Sequence, residues 1–397
     1  MGQFIKSLNL KDPINLGAIL CFVIPPLGML LLFVLGWRTI FQILIKKEKI
    51  SFSYVDIFFI TLGISTIGAT IEMKDAYFLF TTLMILGYWG LYLHIMRIGT
   101  RGFFQIFRWI MIFGSIYSLL IGIISSFFKF PTLLGYLTGT ILFGVKEPMK
   151  EYHRLIGNAY NPNFTVYILL IGLSFILAKI LTSVRKNQYQ SLWWQTLIVI
   201  ILSFGVVQTG SRGGFGTMIG IFLLFFFRLN IKVFILLSII ALSMHNVFLQ
   251  LIPRSDILNV STMQRETIWR NSFKIWKDHW LFGTTPLGFG IEYSKLTGQD
   301  IPHAHNMLIG VFTEYGTFSG LVFILLILIT AYKMLVLFFS TNKRIYLLDY
   351  FLLSLPIIVL TGIFDEPLFS PQLGLLTIIL WASWERYTRQ IDFFERV

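Results

Sequence analysis

Apolar runs of roughly 17 to 25 residues, each long enough to cross the hydrocarbon core of a bilayer as one helix, recur along most of the chain. Backbone N–H and C=O groups find no water in that core, so a spanning segment must satisfy them internally as a helix. Only 13% of the 397 residues are charged and 56% are hydrophobic. An average soluble domain carries about 25% charged residues. The chain therefore reads as an all-α polytopic integral membrane protein, a single membrane domain over residues 1–397 with about 11–12 transmembrane helices.

The net charge of +13 invites a polyanion partner. The lysines and arginines, however, sit mostly in short loops between apolar runs, where topology accounts for them and no nucleic acid is expected. The one cysteine, Cys21, lies inside the first run, so neither a disulfide nor a cysteine-ligated metal is expected. Lys6 and Lys11 ahead of that run resemble a signal peptide, but the run is long and lacks a clear small-x-small cleavage site, so it reads as retained.

In order, the apolar segments cover about 14–37 (holding Pro25 and Pro26, either one kinked helix or a broken one), 55–70, 76–95, a span ending near 128, 164–181, 192–207, a span ending near 227, another to about 251, 307–337, 347–363 and 372–384. Counting faces by alternation puts the loops 38–49, 97–108, 179–186, 228–232 and 333–344 and the C-terminal tail on one side. They are rich in lysine and arginine, which makes that side the cytoplasm. The other face then receives the turns 72–75, 209–214 and 364–371, a first long loop over 129–163 and a large loop over 253–305. Its polar residues include His153, Arg154, Arg212, Arg254, Arg265, Arg270, His279, His303, His305, Asp365 and Glu366.

Arginines on the outer face run against the usual bias and call for a local reason. Arg212 stands between Ser211 and Gly213-Gly214 at a span end, where glycines let a ligand approach the backbone and a guanidinium suits phosphate. The alternative is an arginine snorkelling to the headgroups. Arg265 shares a stripe with Trp269, Phe273 and Trp276, at spacings that predict a short amphipathic helix on the membrane surface. It divides evenly between ligand contact and anchor, whereas Arg270, Lys274 and Lys277 read as solvated. His303 and His305 open onto the segment from Met307. Four convincing ligands are lacking, so no metal is expected, and a proton-transferring histidine is favoured over a structural one. His94 and His245 lie within spans and read as packing residues.

Three stretches, Arg154-Leu-Ile-Gly-Asn with Asn161-Pro-Asn163, Thr209-Gly-Ser-Arg-Gly-Gly214, and His305-Asn306 followed by Glu314-Tyr-Gly316, together resemble the O-antigen ligase and polymerase family. These are membrane enzymes that handle undecaprenyl-linked bacterial polysaccharides. The likeness runs from Arg154 to the mid-300s, and its order and spacing carry more than any one motif. It implies a GT-C-like membrane glycosyltransferase fold, a catalytic His305, and Arg212, Arg265 and Arg154 as candidates for holding pyrophosphate. Ser211, Gly213, Gly214, His303, Asn306 and Glu314 support them, with no cofactor. Where the family often has a second glycine three residues after Gly316, this chain has Ser319, followed by Gly320.

The chemistry fits these residue types. Arginines neutralise a departing pyrophosphate without a metal, and a histidine removes the proton of an acceptor hydroxyl, with inversion at the anomeric carbon. The expected function is a surface-polysaccharide polymerase of the bacterial inner (cytoplasmic) membrane, with its active site on the extracytoplasmic face. Its partners would be an undecaprenyl-pyrophosphate-linked oligosaccharide, membrane lipid, and chain-length regulator and flippase proteins. An O-antigen ligase, a flippase or exporter for lipid-linked sugars, and a non-catalytic scaffold are the alternatives. The face assignment has a direct check. In a Cys21→Ala background, cysteines at Val260 or Asp300 should label from outside intact cells with an impermeant thiol reagent, and those at Lys186 or Thr341 should not. Labelling of the second pair would overturn the topology.

Overall fold

The computed structural model describes residues 12–47, 52–128, 130–142, 154–243, 253, 258–339 and 347–391. His153, Arg254 and His245 lie outside the described residues. All regular structure among the described residues is helical: α1 Pro13–Val23, α2 Pro25–Lys46, α3 Tyr54–Met73, α4 Leu79–Ile98, α5 Arg101–Phe127, α6 Thr132–Thr138, α7 Pro162–Arg185 and α8 Leu192–Gln208. There follow α9 Arg212–Leu229, α10 Ile231–Ser243, α11 Leu258–Asp278, α12 Thr285–Thr297, α13 Met307–Phe339, α14 Leu348–Gly362 and α15 Pro371–Arg389, with short 3₁₀ turns between some of them. Eight of the described helices are long and apolar enough to cross a membrane, and three more apolar helices are shorter. The protein is a polytopic all-α membrane protein.

Helix starts are written in the sequence. Asn161 caps α7 through Asn163 N, with Pro162 at the first helical position, where its missing N–H costs nothing. Ser53 and Asp56 form a reciprocal capping box on α3. The first apolar run is broken: α1 ends at Val23 and α2 begins at Pro25. Gly28 then packs so closely on the end of α1 that a Cβ there would lie 2.1 Å from Cys21 N.

The described residues fall into two compact units. The first takes its residues from 1–28, 102–260 and 343–361. Its centre is α7, almost wholly buried, with Gly172 admitting Ser115 of α5, whose hydroxyl donates to Ile168 O at 2.9 Å. Small residues at such crossings let helices approach where lipid gives no hydrophobic drive. Asp349, 2% exposed, accepts from both Arg185 and Arg228, the latter at 2.8 Å. The Arg108 guanidinium stacks 3.8 Å from the Tyr350 ring centroid.

The second unit takes 29–101, 261–342 and 362–397. Here α13 packs along α3, α15 along α4, and α12 against α13. Near its C-terminal end Lys333, 3% exposed, donates to Tyr54 Oη at 2.7 Å and to Glu385 Oε2 at 3.2 Å. Arg108 and Lys333, read from the sequence as loop cations, are thus consumed by internal partners. The segment from Met307 is also not one unbroken helix. Gly316 takes φ 75°, ψ 177°, which only glycine adopts without strain, and splits α13 into a first part ending at Tyr315 and a long apolar part. The Trp280 carbonyl fills the break, accepting from Thr317 N at 2.8 Å.

Asp349 supplies a test of the first unit. Removing one member of a buried pair strands the other charges, at a cost on the order of 3–5 kcal/mol. Asp349→Ala should lower the melting temperature of detergent-solubilised protein clearly below that of an exposed-charge control, Lys295→Ala. Equal melting of the two variants would show that the Arg185–Asp349–Arg228 cluster is not what holds these helix ends.

Candidate active site

The large loop folds into a support for two histidines. Helix α11 buries Ile268, Ser272 and Ile275, while Phe273 stays 51% exposed. The buried stripe is therefore one residue out of register with the Trp269–Phe273 stripe expected from the sequence, and the helix is longer, at 21 residues. Ile268 and Ile275 pack with Phe289 and Tyr293 of α12 around Ala304, which is wholly buried. Ala304 stands between His303 and His305, so this small core grips the backbone of the histidine loop. Trp276 adds a bond from Nε1 to Thr317 Oγ1 at 3.0 Å, just past the α13 break.

Both imidazoles converge on one carboxylate oxygen. His303 Nε2 lies 3.2 Å and His305 Nδ1 3.0 Å from Asp365 Oδ1. The rings stand 4.2 Å apart by centroid, and Phe369 covers His303 at 4.8 Å. Burial alone would push Asp365 up, but the hydrogen bonds from His303 and His305 hold it well below the usual carboxylate range. An ionised carboxylate only accepts, so both facing nitrogens carry hydrogen. His305 is thereby fixed as the Nδ1–H tautomer, with Nε2 left as the basic atom. His303, at 4% exposure, is held neutral by burial, with Arg265 close enough to lower it further. The His305 side chain keeps 26% of its surface. The buried ring thus supports and the half-exposed one is presented.

The backbone at His305 is left-handed, with φ 52°. A non-glycine residue pays roughly 1–3 kcal/mol for such a conformation and keeps it only where its surroundings enforce it. Asn306 helps enforce it, its Nδ2 donating to Ile363 O at 2.9 Å and its Oδ1 accepting from Ile309 N at 3.0 Å as the cap of α13. One turn into α13, Gly310 and then Glu314 face inward, and Glu314 is 2% exposed. Glu314, Tyr315, Glu366 and Phe369 line part of an otherwise apolar cavity of about 320 Å³ within this unit. His303, His305 and Asp365 also offer atoms within 4.8 Å of one another that a metal ion could share, and the cluster has three such donors. Structural zinc sites take four protein ligands, and catalytic ones take three and a water.

In the first unit, Ser211 caps α9 by accepting from Gly214 N at 3.2 Å, and Arg212 occupies the first helical position, half-buried. Gly210 precedes it at φ 61°. A Cβ on Gly214 would meet Val166 at 2.4 Å, so this glycine serves helix packing. The helix start offers N–H groups and a positive dipole end suited to an anion. Arg154, also a candidate for holding pyrophosphate, has internal partners. Its Nε donates to Thr209 O at 2.7 Å and its Nη2 to Asn163 Oδ1 at 2.6 Å, which makes it a brace between the 209–214 turn and the start of α7.

Asp365 is the contact that the sequence does not reveal: the sequence puts it among the residues of one face, with no pairing to the histidines. The available signal was the pair Asp365-Glu366 in a chain with only 19 acidic residues. Of the other polar residues that the sequence assigns to that face, His279 pairs with Glu72 at 2.9 Å and Arg270 with Glu266 at 2.8 Å, the latter in a solvent-exposed bridge.

Residues 197–325 match the family model described as O-antigen ligase. The match takes in Ser211 to Gly214, Arg265, His303, His305, Asn306, Glu314 and Gly316, and stops short of Arg154, Asp365 and Glu366. No curated protein matches the chain. The match covers about a third of the chain, and over that stretch this membrane protein is similar to the O-antigen ligase family.

Proposed function

We propose that the protein is a surface-polysaccharide polymerase, transferring an undecaprenyl-pyrophosphate-linked glycan onto a sugar hydroxyl of a second lipid-linked repeat. The observation that carries an enzymatic reading is the hydrogen bond from His305 Nδ1 to a carboxylate that burial would otherwise protonate. It leaves Nε2 to take the proton of the acceptor hydroxyl while Asp365 stabilises the imidazolium that forms. The hydroxyl oxygen bonds to the anomeric carbon from the face opposite the leaving group, and the bond from that carbon to the pyrophosphate oxygen breaks. Arg265 is suited to the charge that develops on the leaving group. Arg212, at the positive end of α9, is suited to an anionic substrate group. A flippase would need charge along a path open to both faces, and a scaffold would have no need of an oriented imidazole. The apolar cavity suits the hydrocarbon of a lipid substrate. The basic-loop pattern supports an extracytoplasmic site in the inner membrane.

Polymerase is favoured over ligase because it needs only lipid-linked repeats and no dedicated outer acceptor. Gel analysis of surface polysaccharide from a deletion strain tests this: single repeats are expected, and intact chains retained on undecaprenyl pyrophosphate would make the protein a ligase.

The catalytic assignment is tested by transfer with purified protein in lipid and a synthetic undecaprenyl-pyrophosphate glycan. His305→Ala should lose about 10²–10⁴ in rate, the usual range for a general base, with the protein still folded. His303→Ala should lose less, and Arg212→Lys, which keeps charge but not the bidentate fork, should be strongly impaired. A metal site at the same three residues would instead make both histidine variants equally inactive and the wild type sensitive to EDTA. Full activity in His305→Ala would end the assignment.

A further inference from the structure

Asp365 and Glu366 are consecutive, but only the first reaches the imidazoles. The second is buried just as deeply, at 4% exposure, and does something different. Its backbone N–H donates to Asp365 Oδ1 at 2.9 Å, and its carboxyl accepts from the backbone N–H of Ala304. One dipeptide therefore holds the histidine loop twice, by both rings and by the amide between them.

The carboxyl of Glu366 lies against α13 at Gly310. A Cβ on that glycine would come within 2.2 Å of Glu366 Oε1, so a side chain there would displace the carboxyl. Glu314 follows one turn later, and both acids line the same cavity. Two carboxyls enclosed together do not both carry charge, because low dielectric and mutual repulsion each oppose it. For Glu366, burial first and then the nearby Glu314 and Asp365 push the group well above the usual carboxylate range. A purely architectural account explains little here. The following 3₁₀ turn is closed by the Glu366 carbonyl, which accepts from Phe369 N at 3.1 Å and needs no particular side chain.

We propose that Glu366, enclosed near Glu314, is a positioning residue for His305, holding the Ala304 amide and with it the left-handed turn that presents the imidazole. This rests on the reading of His305 as the base. The ionisable groups around Glu366 are Glu314 and Tyr315 on α13 and Asp365 on its own turn, with His303 and His305 on the far side of Asp365 and Arg265 of α11 beside His303. As pH rises through the titration of Glu366, a second negative charge appears beside Asp365; the Ala304 amide bonds a carboxylate at least as well, but repulsion between the neighbouring acids strains the turn that carries them. Transfer should then fall on the alkaline side. Glutamine keeps the carbonyl that accepts from Ala304 and has no proton to lose.

The experiment compares wild type, Glu366→Ala and Glu366→Gln as full-length protein in lipid. One readout is transfer from neutral to alkaline pH; the other is the rate at which diethylpyrocarbonate modifies His305, resolved by mass spectrometry with His279 as internal control. Glu366→Ala should lose about 100-fold in kcat, the scale of a misplaced reacting group, with little change in KM for the lipid donor. Its His305 modification rate should change while that of His279 does not. Glu366→Gln should restore most of the neutral-pH rate and abolish the alkaline decline. The proposal is overturned by a wild-type kcat and modification rate in Glu366→Ala, by a folded Glu366→Gln as impaired as the alanine variant, or by an alkaline decline that survives in it. If Glu366→Ala does not fold, the pH profile of Glu366→Gln decides. An active His305→Ala would remove the base reading itself, whereas an inactive His305→Ala beside a normal Glu366→Ala would remove only the positioning role.

Discussion

One carboxylate oxygen organises the site. Asp365 Oδ1 accepts from two imidazoles and from the Glu366 amide, and the two imidazoles are what keep this buried carboxylate charged. The tautomer of His305 follows from that acceptor. So does the asymmetry between the rings: His303 is enclosed under Phe369, and His305 is left partly open at a backbone conformation it would not choose alone. The cluster carries one negative charge while both imidazoles are neutral. When His305 takes a proton the charge cancels, so proton transfer moves the buried group toward neutrality, the direction a low dielectric favours.

The scaffold keeps that arrangement away from the long apolar helix while fixing it rigidly. The break at Gly316 separates the part of α13 that carries Gly310 and Glu314 from the apolar remainder. The Trp280 carbonyl enters the break, and a Cβ on Gly316 would lie 2.1 Å from the Leu281 carbonyl oxygen. Past the break, Ser319 is fully buried, its hydroxyl 2.9 Å from that of Ser65 on α3. A serine thus makes the contact at the position where the family often has glycine, and the close approach is made by Gly316.

Much of this was legible in the sequence because hydropathy and cap chemistry are local. The apolar runs gave the spans, Pro25 and Pro26 left open a break that lies at Ile24, and Asn161 in the first long loop and Ser211 in the 209–214 turn cap helices. Non-local pairing was not legible. Arg108 and Lys333 read as loop cations because their partners, Tyr350 and Glu385, are distant in the chain. The Trp269–Phe273 stripe misled because aromatic spacing signals an apolar face and does not say whether membrane or protein covers it. Asp365 was visible as an outer-face acid, but its pairing with residues about sixty positions earlier depends on packing that no motif records.

The same pairing bears on the choice between proton transfer and metal binding. A nitrogen that donates its hydrogen to a carboxylate has no lone pair directed there for a metal, so the two uses of the cluster need opposite faces of the same rings. With His303 Nε2 and His305 Nδ1 both turned to Asp365, the facing atoms are in the arrangement that orients a base. Metal-binding histidines also donate to carboxylates, but through the nitrogen that faces away from the ion. Here the two nitrogens share a single oxygen, and three donors around one anion leave that oxygen little capacity for a cation. The geometry and the electrostatics therefore lead to the same reading: an anion held by its donors, with the reactive nitrogen on the far side of the more exposed ring.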